Sequence, residues 1–414
     1  MKLEKYTFGI GDRFAHQGKA QLNALIKAKE SGLDIAPVWN KSYREHQTVG
    51  SNHAETKKEA DETVEALDWK GNYYIDADHI KLANVGEFLD YANFFTIDVA
   101  DHIGKKADEG EISKFVKSNS SLIGKTEIPG IKKDSEITEE IIREIAEKYL
   151  YAAQKAGEVY RFIADNKGEE NFVAEVSMDE TDYPQTPTEL LVILSALADQ
   201  KIMLQTLAPK FSGRFNKGID YVGDVNQFER EFEADIQIVD FAVKEFGLPE
   251  NLKLSIHTGS DKFSIYPIIG KIIRKYDKGI HVKTAGTTWL AEVIGMCLGG
   301  EDGFEMAKKI YLTAYDQVES LTEAYAAVID IDQSKLPSPE QINGWNAEEF
   351  VNALRHVPGH PEYNPHFRQL MHVSYKIAAQ LGSEFTDMLK KHENTIADEV
   401  TENLFEGHIK RLFL

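Results

Sequence analysis

Short runs of aliphatic and aromatic residues alternate with amphipathic stretches from the start of the chain to about residue 300. The strand-like runs are Tyr6–Ile10, Ile35–Trp39, Asn72–Ile75, Phe94–Ile97, Phe172–Val176, Ile202–Leu207, Leu252–Ile256 and Ile280–Val282. Helical periodicity follows nearly all of them, near Gln21–Glu30, Glu55–Leu67, Val85–Tyr91, from Pro187, and near Phe228–Phe246, Tyr266–Tyr276 and Trp289–Leu298. Punctuation supports these assignments. Thr186, Pro187 and Glu189 form an N-cap, an N1 proline and a capping-box partner. Gly247 stops the sixth helix. Eight strand-then-helix units predict a parallel sheet, and eight is the number that closes a (β/α)8 TIM-type barrel.

Two segments break the repeat. Residues 103–170 carry a loop-like stretch around Ser118–Ser121 and Pro129, then one long helix. Along that helix Ile137, Ile141, Ile145, Tyr149, Ala153, Ala156 and Tyr160 recur every three or four positions. This helical insertion after strand 4 reads equally as a cover for the catalytic face or as an extra outer layer. Residues 301–414 read as a helical C-terminal extension packed on the barrel, broken by Pro337, Pro339, Pro358, Pro361 and Pro365. The alternative of a dinucleotide-binding open sheet lacks its fingerprint. Gly9 and Gly11 are followed by Phe14 where a third glycine is needed.

Composition narrows the function classes. The 414 residues hold 47 Lys and Arg against 68 Asp and Glu, a formal charge of −21. Such a surface repels nucleic acid and anionic membranes. Any anionic ligand then requires a basic pocket inside an acidic shell. No apolar run reaches membrane-spanning length. The first eight residues lack the apolar core of a signal peptide, and the single cysteine, Cys297, has no internal partner. These features predict a cytoplasmic protein. A homo-oligomer is compatible with them, and the sequence does not fix the assembly.

In a barrel of this class the active site gathers at the carboxyl ends of the strands. Those ends bear Asp12 and Arg13; Asn40 and Lys41; Asp76, Asp78 and His79; Asp98 and Asp101; Glu175 and Asp179; Lys210; His257, Ser260 and Asp261; and Lys283 and Thr284. Strand alternation sorts them further. Leu254 and Ile256 take the outer face of strand 7, which turns His257 inward. Glu175 shares the inner face of strand 5 with Val173 and Ser177. Asp76 and Asp78 share a face, as do His281 and Lys283. A carboxylate aimed into a barrel is costly unless a cation pairs with it. A divalent metal on Glu175, His257 and one of Asp78 or His79 resolves that cost, with a Glu175–Lys283 ion pair as the competing explanation. Asp78–His79 and His257–Ser260 also resemble, as local motifs, the Asp-His pair and His-Gly strand end of class II metal-dependent aldolases.

Further along, Arg368, His372 and Lys376 fall at i, i+4 and i+8, one basic stripe opposite Leu370, Val373, Ile377 and Leu381. This stripe is either a solvated face, a wall for a substrate carboxylate or a subunit contact. His356 and His360 are four apart, but Pro358 and Gly359 deny them the helix a ligand pair needs.

GDRF at 11–14, PVWNKS at 37–42, YIDADHI at 74–80, IHTGSDKFS at 256–264 and NPHFRQLMHVSYK at 364–376 together resemble the tagaturonate/fructuronate epimerase family, which includes tagatose 4-epimerase-like proteins. The likeness runs over essentially the whole chain. It implies a metal-dependent isomerase of uronate catabolism whose partner is a small sugar acid. The two uronates differ at C4, which adjoins neither the C2 ketone nor the carboxylate carbon, so its hydrogen is not appreciably acidic. Retro-aldol cleavage of C3–C4 and re-addition is the expected route, since no nicotinamide fingerprint is visible. The expected divalent ion is zinc, nickel, manganese or iron. From the strand-end argument, the expected ligands are His79, Glu175 and His257, and the catalytic groups are Asp78, Lys283 and Lys210. Arg13, Asn40, Asp76, Ser260, Asp261, Arg368 and His372 are expected on the substrate. The competing functions are a metal-dependent ketose isomerase or 3-epimerase, and a non-catalytic sugar-acid binding protein.

Overall fold

The computed structural model describes residues 1–125, 127–131, 136–181, 183–284, 286–326 and 328–414. Eight strands, β1 (Tyr6–Ile10), β2 (Ala36–Ser42), β3 (Tyr74–Ile80), β4 (Phe94–Asp98), β5 (Val173–Ser177), β6 (Leu204–Ala208), β7 (Lys253–His257) and β8 (Ile280–Lys283), pair in chain order. All pairings are parallel, and β8 closes on β1, with Thr7 opposite His281 and Gly9 opposite Lys283. The expected (β/α)8 barrel is the observed fold. Among the described residues no helix is long and apolar enough to cross a membrane.

Most boundaries shift by a residue or more, and three differences stand out. β2 and β3 run three and five residues past their expected ends, to Ser42 and Ile80, so Asn40, Lys41, Asp76, Asp78 and His79 lie on strands. Polar residues there look like loop in sequence because solvated turns and polar barrel interiors use the same side chains. The third helix, expected over Val85–Tyr91, is a single 3-10 turn, Val85–Phe88. It buries only Val85 and Phe88, too little apolar surface to sustain a longer element.

The segment between β4 and β5 holds a short helix, Glu109–Ser118, and a long one, Glu139–Lys167. The long helix buries Ile142, Ile145, Tyr149, Ala153, Ala156 and Tyr160 against β4 and against helix Pro187–Asp199. It is therefore the barrel's own outer helix at that position. The C-terminal extension completes the outer layer on the other side. Helix Glu393–Glu402 packs on Thr287–Gly299 and Gly18–Glu30, and Lys410–Phe413 packs on Tyr266–Lys275. One continuous apolar cluster spans the barrel exterior and the extension.

Inside the barrel, polarity changes from bottom to top. Leu3, Ala36, Val38, Tyr74, Phe94 and Val173 form a separate apolar plug at the amino end. Above it lie Asn40, Asp76, Thr96, Glu175, Ser255 and Lys283, all buried. The ladder fixes this layer: Asn40 pairs with Asp76, Thr96 with Glu175, and His257 with Lys283. The plug below seals the polar layer from solvent, and that seal strengthens its electrostatics.

Candidate active site

Lys283 is the hub of the polar layer. Its ammonium lies 2.7 Å from Asp76, 3.0 Å from Glu175 and 3.1 Å from Asp78, and it also donates to Thr96. Asn40 donates to Asp76 at 2.9 Å, and Thr96 donates to Asp76 and Glu175. Burial opposes the charge on Lys283, but Asp76 and Glu175 override it and raise its pKa well above the ordinary lysine value. Asp76 also shifts upward, which for a carboxyl favours the neutral form: burial pushes it up to about 6 in spite of Lys283.

One layer higher, His79, Asp179 and His257 place three potential ligand atoms within 4.8 Å of one another. His79 Nε2 lies 3.5 Å from one Asp179 oxygen, and His257 Nδ1 lies 3.2 Å from the other. Both nitrogens are buried and have no hydrogen-bond partner among the described residues. The opposite nitrogen of each ring is held by a carboxylate. His79 Nδ1 donates to Asp78 at 2.8 Å, and His257 Nε2 donates to Glu175 at 2.9 Å. That is how metal-binding imidazoles are usually oriented: an outer carboxylate fixes the tautomer and leaves the inner nitrogen's lone pair for an ion.

The local backbone makes this possible. His79 follows Asp78 directly, so strand alternation alone would turn it away from the barrel axis. The β3–β4 register shifts between Ala77 and Ile80, and His79 adopts φ +54°, in the left-handed region. A non-glycine residue there is strained. The consequence is that Asp78 and His79 both serve the same centre.

Without an ion, the same carboxylates favour the charged imidazolium forms, whose protons a bound cation would displace. Burial would lower the His257 pKa, but the charges of Asp179 and Glu175 raise it to about 9. His79 also rises well above its usual value against burial, through Asp78 and Asp179. Asp76, Asp78, Glu175 and Asp179 outnumber Lys283, the one permanent cation among them. With neutral imidazoles, a divalent cation offsets this excess. The donors, two imidazoles and a carboxylate, suit a first-row transition ion. The residues present therefore fit the expected metal, with Asp179 beside the histidines and Glu175 behind His257. Alternation had favoured Glu175 as ligand, because Asp179 lies two residues beyond the end of β5.

A second cluster lies beside this centre. Arg13, buried on the β1 loop, donates from Nε to Glu45 at 2.7 Å and stacks over Tyr375 at 4.2 Å. Lys217, on the β6 loop, sits 5.4 Å from the Tyr325 ring, which also faces Arg44 at 5.8 Å and Lys376 at 4.7 Å. The Tyr325 and Tyr375 hydroxyls are 3.1 Å apart. His372 is buried, with neither ring nitrogen partnered among the described residues.

Several residues expected on the substrate are otherwise engaged. Arg368 gives its guanidinium to Gly218 O, Leu354 O at 2.6 Å and Asp261 at 2.7 Å. Asp261 also accepts from His408 and Thr287, and Ser260 accepts from Gly218 N–H and Lys262. Arg368 and Asp261 knit the β7 loop to the extension and Ser260 ties it to the β6 loop, so their polar atoms are spent on protein partners. The single basic stripe is also corrected. The helix breaks at Ser374 into Pro365–Val373 and Tyr375–Leu381, so Arg368 turns toward Asp261 while Lys376 faces Tyr325. Asn40 and Asp76 lie beneath the centre. The Lys210 backbone is pinned to Gln185, and its ammonium joins no carboxylate among the described residues. Asp12 accepts from the N–H groups of Phe14, His16 and Gln17 and so shapes the loop that carries Arg13.

Comparison with known proteins follows the same lines. The family model UxaE, described as tagaturonate epimerase, matches residues 1–412. A tagaturonate/fructuronate epimerase of Thermotoga maritima is 30% identical, the match covering 98% of this chain and 79% of that protein. Two crystal structures of fructuronate-tagaturonate epimerase UxaE from Cohnella laeviribosi share the fold. The form with one glycerol has a TM-score of 0.80 at 24% identity, covering 100% of this chain and 82% of its own. The native form has a TM-score of 0.78 at 23% identity with the same coverage.

Proposed function

The chain belongs to the tagaturonate epimerase family, and on that premise we propose that it interconverts D-tagaturonate and D-fructuronate at C4 with a divalent metal ion, by cleaving and re-forming the C3–C4 bond. The activity class, a carbohydrate epimerase, follows from the family. The metal and the route rest on the site.

One observation carries the reading. His79 Nε2 and His257 Nδ1 face Asp179 without hydrogen-bond partners among the described residues, while Asp78 and Glu175 hold the far side of each ring. His79, Asp179 and His257 would hold the ion. When bound, it would supply Lewis acidity to a ketose oxygen and offset the charge that develops on bond cleavage. The chain's own groups supply the rest. Asp78 commits Oδ1 to His79 and Lys283, which leaves Oδ2 to take the proton of the C4 hydroxyl. Lys283 keeps Asp78 and Glu175 in register as charge moves. The two halves must stay bound until the aldehyde has turned and been re-attacked on its other face, and the buried polar layer beneath the centre limits water there.

Purified protein should contain a divalent ion, lose epimerase activity to a chelator in an NMR assay on D-tagaturonate, and regain it when the ion is restored. Run in deuterated water, product should carry no solvent deuterium at C4. Full activity of metal-free protein refutes the metal, and deuterium at C4 refutes the cleavage.

A further inference from the structure

The basic cluster resolves the puzzle set by a chain of net charge −21. Arg13, Arg44, Lys217 and Lys376 surround Tyr325 and Tyr375, and among the described residues Glu45 on Arg13 is the one carboxylate in ion-pair contact with any of them. Arg13 is buried, Lys217 and Lys376 are half-buried and Arg44 is exposed, so these like charges repel most at the buried end of the cluster, where an incoming anion would relieve them.

We propose that Arg13, Lys217 and His372 form the subsite that receives the substrate's carboxylate, and that Lys217 selects a sugar acid over a neutral ketose. The proposal deepens the epimerase reading and rests on it. Three observations converge. Arg13 Nη1 is buried without a partner among the described residues, although its Nε is held by Glu45, so one edge of the guanidinium remains available. His372 is buried with neither ring nitrogen partnered among the described residues, and one of them must carry a hydrogen that needs an acceptor. Lys217 has its backbone N–H tied to Val328 O, while its ammonium finds no ion-pair carboxylate among the described residues.

These groups are close enough to sense each other's charge. Burial lowers the pKa of Lys217, and Arg13 lowers it further. Burial, followed by Arg13 and Lys217, keeps His372 well below the usual histidine range and therefore neutral. The cluster also adjoins the metal-type centre through β2 and β3. Glu45, the carboxylate on Arg13, has its N–H held by the Ser42 hydroxyl, and Ser42 pairs with Asp78 on the ladder. A ketohexuronate with its reacting carbons at the centre can thus reach this cluster with its terminal carboxylate. Arg13 offers a directional fork, Lys217 a point charge and His372 a neutral donor.

The test uses the full-length protein and its Lys217→Met and Lys217→Arg variants, with D-tagaturonate and the neutral D-tagatose. Losing one charged donor to a buried carboxylate should raise KM for D-tagaturonate about 10- to 100-fold, with kcat within about threefold. Lys217→Arg should restore most of the loss. Calorimetric Kd values should move in the same way for the acid, and by less than about threefold for D-tagatose. Unchanged KM and Kd for the acid, or equal shifts for both sugars, overturn the assignment. Should the wild type fail to epimerise either uronate, the functional reading falls. The Kd comparison on D-tagaturonate then still decides the subsite, because a Lys217-dependent affinity supports it and an indifferent one does not.

Discussion

The two halves of the barrel mouth handle charge in opposite ways. On the β3, β5, β7 and β8 side, carboxylates outnumber cations, and Lys283, His79 and His257 each touch at least one. On the side where the β1 and β6 loops meet the extension, four cations share one carboxylate partner among the described residues. Neither half balances alone, and each lacks what the other has in excess. They are nevertheless kept apart by their supports. Apart from Asp179, the acidic half sits on strand positions fixed by the ladder, whereas the basic half sits on loops, on helix Tyr43–Val49 and on the extension. A folded chain pays for such segregation only where the missing charges come from outside. On the reading proposed above, a divalent cation would complete the first half and a sugar acid's carboxylate the second. Chemistry and recognition would then be divided between the strand frame and the wall of loops and helices around it.

Removing a cation from the acidic half should break this comparison most severely. Lys283→Met leaves Asp76, Asp78 and Glu175 facing one another in the barrel without their shared partner. Breaking a buried ionic network of this kind costs about 3–5 kcal/mol. Urea unfolding followed by circular dichroism should show a loss of that size, and a loss below 1 kcal/mol would mean that the layer tolerates its own repulsion.

Glu175→Gln is milder and separates two roles for that residue. A glutamine still offers an oxygen to His257 Nε2 but loses the charge on both His257 and Lys283. If Glu175 orients His257 from behind, divalent-ion affinity should fall about 10- to 100-fold, with one ion still bound at saturation. A chelator-dye competition reads this directly. Loss of the ion at any concentration would make Glu175 a ligand itself, as its inward position on β5 had first suggested.

The acidic half was largely legible in the sequence because its geometry is periodic. Alternation turns Glu175, His257 and Lys283 inward, and the order of eight units sets which strands adjoin. The ligand atoms were harder to read. Asp179 sits beyond the end of β5, where no period applies. His79 reaches the centre through a register shift and a left-handed backbone, neither of which leaves a hydrophobic pattern. The basic half was the least legible. Its members come from residues 13, 44, 217, 325, 372 and 376, brought together by loops and by the docking of the extension. Of these, Arg13 and His372 were expected on the substrate, and Lys376 was read as part of a stripe with Arg368. The one signal for Lys217 was a loop holding Lys210, Arg214 and Lys217 in an otherwise acidic chain.

The smallest effect should come from removing a cation on the basic side, and its smallness is informative. Lys376 donates to Leu321 O at 3.2 Å and lies over Tyr325, while burial and the nearby charge of Arg44 both lower its pKa. Lys376→Met keeps most of the apolar stem and ends the repulsion with Arg44, at the cost of one hydrogen bond to a carbonyl. Those two changes are of similar size and opposite sign, so stability should shift by no more than about 0.5 kcal/mol. Urea unfolding beside Lys283→Met makes the contrast quantitative, with the same residue change and the same formal charge removed in the two halves of one mouth. Equal losses would show that lysines here stabilise as lysines, by stem packing and hydrogen bonds, and would remove the case for a basic half that awaits an anion.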